Sequence, residues 1–144
     1  MKTTNKLDKT SIVIDSSLGE NIELYKFSRI FDSNIGNKSS IGDFSKVEYS
    51  TLESHNRIDR YNYVSKSSIG RHSYTGMNSL IINSKIGKFC SISWRVTIGP
   101  ANHNYSLPST HSFLYNDFNK LKPLNYTGYD RFNEECIIGN DVWI

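Results

Sequence analysis

The chain has little of what would mark a protein for export, membrane insertion or nucleic acid. Its two cysteines, Cys90 and Cys136, form no CxxC pair and read as free thiols, since nothing in the chain signals an oxidising compartment. No stretch approaches the ~20 apolar residues that span a bilayer. The polar N-terminus, MKTTNKLDKTS, lacks the apolar run of a signal peptide, so the cytoplasm is the expected address. The net charge of +3 is spread along the chain without a block of five or more like charges, which gives no reason to expect nucleic acid binding. What remains is the balance of one ordinary domain, 144 residues with 37% hydrophobic and 22% charged side chains.

What is present is a repeat. Leu18-Gly19, Ile35-Gly36, Leu52-Glu53, Ile69-Gly70 and Ile86-Gly87 lie 17 residues apart. Each unit divides into two hexads and a pentad, led by Leu18, Leu24, Ile30; Ile35, Ile41, Val47; Leu52, Ile58, Val64; Ile69, Thr75, Ile81; and Ile86, Ile92, Ile98. Fourteen of these fifteen leads are aliphatic. A helix, whose faces recur every 3.6 residues, cannot hold a period of six in register. A three-sided coil can, with each lead pointing inward and the next turn stacked ~4.8 Å above it.

Other columns agree. Ser33, Ser50, Ser67 and Ser84 share one coil position; Phe27, Phe44 and Tyr61 share another. Four residues after the hexad leads stand mostly small or short polar side chains, among them Ser28, Ser39, Ser45, Asn56, Asn62, Ser73, Ser79 and Cys90, which suits a tight corner. An antiparallel sandwich of short strands also has turns at intervals, but it does not keep phase over 85 residues. The organisation expected is an N-terminal segment over 1–17, coils over 18–102, an inserted loop over 103–137, and a coil that resumes at Ile138-Gly139 over 138–144.

The segments ISWRVTIGPANH and IIGNDVWI, with SSIGDFS and SKIGKFCSIS, resemble the hexapeptide-repeat acyltransferases. The fold this implies is all-β, a left-handed parallel β-helix; spacing alone does not give the hand, because parallel crossovers are otherwise nearly always right-handed. ANHNYSLPSTHSF is similar to the loop of the xenobiotic acetyltransferase subgroup through Asn102-His103 and Ser109-Thr110, although His111 and Ser112 depart from that pattern. The loop is rich in aromatics (Tyr105, Phe113, Tyr115, Phe118, Tyr126, Tyr129 and Phe132), which favours a folded arm over disorder.

The resemblance implies an acetyl-CoA-dependent O-acetyltransferase in which His103 is the general base for direct attack by a hydroxyl of a sugar, as in a surface polysaccharide, or of a hydroxylated antibiotic. Imidazole suits this role because its ordinary pKa, roughly 6.5, leaves it mostly a free base near neutral pH. Asn102, Tyr105 and Trp143 are the candidate substrate contacts, and the backbone of Asp141 to Ile144 is the candidate for fixing the imidazole tautomer. Cys90, in the small-residue column, is expected to pack and not to act as a nucleophile. The resemblance further implies a homotrimer, no metal, and coenzyme A contacts in further coils beyond Ile144, so no cofactor-binding residue is assigned. His55 and His72 stack in one column as a possible metal pair, but a third ligand is missing. The rival reading is a noncatalytic β-solenoid, a binding module or inactive relative.

Overall fold

The computed structural model describes residues 4–114 and 128–144. The expectations placed on Tyr115, Phe118 and Tyr126 lie outside the described residues. Two compact units are present: a coil, built on the chain up to Pro100 and again from Glu135, and a loop unit between Ala101 and Glu134.

Two- and three-residue strands have no stability alone, so they form here only because successive turns pair with one another. Three parallel six-stranded sheets result. Face A runs from Lys6–Leu7 through Glu23–Leu24 and every seventeenth residue to Ser91–Ile92. Face B runs from Ile12–Ile14 to Thr97–Ile98, and face C from Ser17–Leu18 to Cys136–Ile138. The pairing is the predicted one: Leu24 opposes Ile41, Ile41 opposes Ile58, and Ile58 opposes Thr75. Every lead from Leu24 to Ile98 is buried, while Leu18 is partly so.

The coil begins earlier than Leu18. Lys6–Leu7 pairs with Glu23–Leu24 and Ile12–Ile14 with Arg29–Phe31, so residues of the expected N-terminal segment form a turn. Leu7 and Val13 continue the lead columns, with charged and polar neighbours masking them. The coil also resumes sooner than Ile138: Cys136 and Ile137 already pair with Ser84 and Lys85.

From Asp15 to Arg95 each corner of the coil holds a residue in the left-handed backbone region. Lys38, Phe44 and Tyr49 are the three of one turn, His55, Tyr61 and Lys66 those of the next, all with φ between 44° and 64°. This conformation aims the corner N–H along the coil axis: Lys38 donates to the Glu20 carbonyl (2.8 Å), Phe44 to Lys26 (2.9 Å) and His55 to Asn37 (2.8 Å). The residue after most left-handed positions turns inward and is short, whereas Ile22, Val96 and Val142 follow Asn21, Arg95 and Asp141. In the pentad column, the Ser50 hydroxyl accepts the Ser67 N–H (3.1 Å) and donates to the Glu48 carbonyl (2.7 Å), and Ser33 and Ser67 repeat the arrangement. Thr75, the one polar lead, is explained by a second departure: the Asn62 side-chain amide donates to its hydroxyl (3.0 Å). No helix among the described residues is long and apolar enough to cross a membrane.

Candidate functional site

Gly99 sits where the chain leaves the coil. Its φ of +64° and the Ile82 carbonyl in the place an added Cβ would take exclude other residues there without backbone movement. Beyond it the loop unit is organised by short side-chain-to-backbone turns. Asn104 Oδ1 accepts the Ser106 N–H (3.0 Å), Ser109 Oγ accepts the His111 N–H (3.1 Å), and Asp130 Oδ1 accepts the Phe132 N–H (2.9 Å). A 3-10 turn at Ser112–Leu114 buries Leu114.

These turns bring the Thr110 carbonyl to 2.9 Å from His103 Nδ1. A carbonyl can only accept, so the neutral ring carries its proton on Nδ1 and its lone pair on Nε2. The guanidinium of Arg131 lies beside that lone pair, with Nη2 3.5 Å from Nε2. Arg131 is itself held by the main chain of Asn102, whose N–H donates to the Arg131 carbonyl (2.8 Å) and whose carbonyl accepts from Arg131 Nε (3.3 Å). Asn102, His103, Thr110 and Arg131 therefore form one cluster. Tyr105 is 91% exposed. His111 is engaged locally, its Nδ1 accepting the Phe113 N–H (3.1 Å).

Thr110 entered the sequence reading only as part of the loop resemblance, with no role, and Arg131 not at all. The resemblance gives the task of fixing the tautomer to the backbone of Asp141 to Ile144, whereas the carbonyl on Nδ1 belongs to Thr110. A backbone acceptor has no residue signature, and Arg131 stands in no motif.

In the coil unit, Trp143 bridges to Ser91 in parallel register and is 86% exposed. Cys90 is fully buried, with its thiol donating to the Gly139 carbonyl (3.1 Å) where neighbouring turns use a serine hydroxyl, so it has the packing role expected of it. His55 and His72 stack at 4.5 Å and Phe89 stacks on His72 at 4.9 Å. Desolvation, reinforced by the charges of His72 and Lys38, holds the His55 imidazole below its ordinary value of 6.5. Among the described residues no three His, Cys, Asp or Glu side chains gather as a metal site.

No family model and no curated protein matches the chain. Solved structures do. The acetyltransferase domain of PglB from Neisseria gonorrhoeae FA1090 superposes with a TM-score of 0.65 at 13% identity, over 67% of this chain and 50% of that one. A UDP-N-acetylglucosamine acyltransferase from Campylobacter jejuni gives 0.51 at 18% identity, over 64% and 50%. The chain spans about half the length of each. At these identities the likeness carries the fold and, with it, the hand that spacing could not give: the chain is a left-handed parallel β-helix of the kind these acyltransferases share.

Proposed function

We propose that the chain belongs to an acetyl-CoA-dependent O-acetyltransferase acting on a sugar hydroxyl, with His103 as general base. The observation that carries this reading is the tautomer of His103. With Nδ1–H committed to the Thr110 carbonyl, Nε2 is the nitrogen able to take a proton, and the ring cannot turn without losing that bond. Acetyl-CoA would supply a thioester carbonyl as the electrophile. Nε2 removes the acceptor's proton as its oxygen bonds to that carbonyl carbon, and returns it to the departing thiolate. No acyl-enzyme is needed.

Arg131 adds a role the sequence did not suggest. Its guanidinium, fixed through Asn102, stands within reach of negative charge developing beside Nε2. Asn102, Tyr105 and Trp143 remain the candidate acceptor contacts, and trimer assembly in the cytoplasm without a metal completes the reading. A sugar acceptor is favoured over an antibiotic because the solved neighbours include a UDP-N-acetylglucosamine acyltransferase.

Thiol release from acetyl-CoA, assayed with the full-length protein and a panel of sugars and hydroxylated antibiotics, tests this. His103→Ala is expected to lower transfer about 10²- to 10⁴-fold with circular dichroism unchanged. Wild-type rates in that variant would refute the base assignment. A noncatalytic coil is the second reading, favoured by the guanidinium that faces the very nitrogen a base would use. It predicts that no acceptor in the panel releases thiol, and that Arg131→Ala does not change this.

A further inference from the structure

Three cavities lie in line along face A of the coil. The first, about 600 Å³, is lined by Lys6, Glu23, Tyr25 and Asp43 among others. The second, about 230 Å³, shares Tyr25 and Asp43 with the first and adds Asp59. The third, about 300 Å³, shares Asp59 and is framed by Tyr74, Trp94 and Trp143. Shared walls make them one groove across seven turns. Six steps of ~4.8 Å give it a length of about 29 Å, which suits a chain molecule better than a compact ligand.

The groove's chemistry narrows the occupant. Its cations are Lys6, Lys26, Arg57 and Arg60. Four carboxylates offset them: Asp8, Glu23, Asp43 and Asp59. Several are paired in place, Lys6 with Glu23 at 2.8 Å and Arg60 with Asp59 at 3.6 Å, so the groove presents no field of one sign to a polyanion or polycation. The floor is kept flat by Gly76, where a Cβ would run into Trp94 Cδ1, so the indole lies directly over that backbone. Trp94 is 68% exposed, and Arg57 stacks on Tyr74 at 5.1 Å. Exposed indoles beside fixed carboxylates and guanidinium groups offer apolar faces for C–H surfaces and forked partners for vicinal hydroxyls.

We infer that face A is a binding groove for an extended neutral oligosaccharide, with Trp94, Trp143 and Tyr74 as the stacking end and Tyr25 at the far end. The groove belongs wholly to the coil unit. It shares Trp143 with the acceptor reading, but binding here needs neither acetyl-CoA nor His103, so either proposal can fail without the other.

Both tryptophans of this sequence, Trp94 and Trp143, line the groove, so the indole emission of this chain reports on the site. Titration with maltohexaose, cellohexaose and chitohexaose, without acetyl-CoA, should shift or quench that emission for at least one of them, with glucose binding at least about tenfold more weakly. Trp94→Ala should weaken binding about tenfold or more, and Trp94→Phe should restore much of it. Tyr25→Ala should weaken the hexasaccharide while leaving binding of the matching disaccharide (maltose, cellobiose or chitobiose) unchanged, which a folding defect would not do. His103→Ala should bind as wild type. The inference is overturned if no neutral hexasaccharide perturbs the emission up to ~10 mM, if heparin or oligodeoxynucleotide binds in preference, or if Tyr25→Ala affects both lengths alike.

Discussion

Glu48 sits half-buried on face B, bonded by Lys46, by the Tyr63 hydroxyl and more distantly by Ser65. Lys46 in turn lies over the rings of Phe31 (5.5 Å) and Tyr63 (5.4 Å). Burial pushes the carboxyl up, but the hydrogen bonds from Lys46 and Tyr63 outweigh it and hold the group below its ordinary 4.5. A depressed carboxyl favours folding in its ionised form, so this stabilisation is complete above pH 4.5 and is lost as the pH falls through the lower folded value. Urea midpoints should therefore drop on acidification below about pH 4.5, and Glu48→Gln should flatten part of that drop. An unchanged slope in the variant would remove Glu48 from the account. At this scale the sequence was only partly readable. His103 stood out because the repeat failed there, whereas its partners, a carbonyl and an arginine 28 residues away, carry no pattern.

The short strands and their corners repay two kinds of substitution. Ser50→Ala would leave the buried Ser67 N–H without its acceptor and should cost about 1–3 kcal/mol, measured as a lower urea midpoint at constant slope. The corners test the backbone. Lys38 has φ of 57° and an exposed side chain, so Lys38→Val should destabilise by about 1–2 kcal/mol, while Lys38→Gly stays close to wild type. Equal loss in both variants would mean that the lysine side chain, and not the left-handed backbone, matters. The lead columns were legible because burial selects aliphatics with no exception but Thr75. The left-handed corners were not, since Asn or Asp stands at only some of them (Asn21, Asn78, Asn83, Asp15, Asp32 and Asp141), while Phe, His, Tyr, Lys and Arg occupy the rest. Where Phe, His, Tyr or Lys stands, the axial hydrogen bonds of the stacked turns hold the left-handed backbone.

Across the whole molecule, most contacts along the coil join residues 17 apart, whereas the final turn joins Lys88 to Asn140 across 52. Excising 101–135 would place Cys136 directly after Pro100 and restore the 17-residue spacing. The shortened protein should keep its circular dichroism, lose all transfer activity if His103 is the base, and gain up to about 1 kcal/mol from the smaller loop closure. Aggregation or loss of β signal would show that the loop unit is required for folding. The period made the coil readable from one end to the other, and it gave early notice of the interruption, but it could not say what the interrupting residues build.

That return to register has a kinetic meaning. Each ordinary turn can zip onto its predecessor after a short search, one nearest neighbour at a time, much as a one-dimensional array grows. Cys136–Ile138 must wait for a far longer segment to find its way back, so the turn it begins is the last to assemble among the turns described and the first to open. Amide exchange should detect it as a separate step, with Gly87 and Ser91, whose N–H groups bond to that turn, exchanging ahead of Gly70 and Tyr74 one layer below.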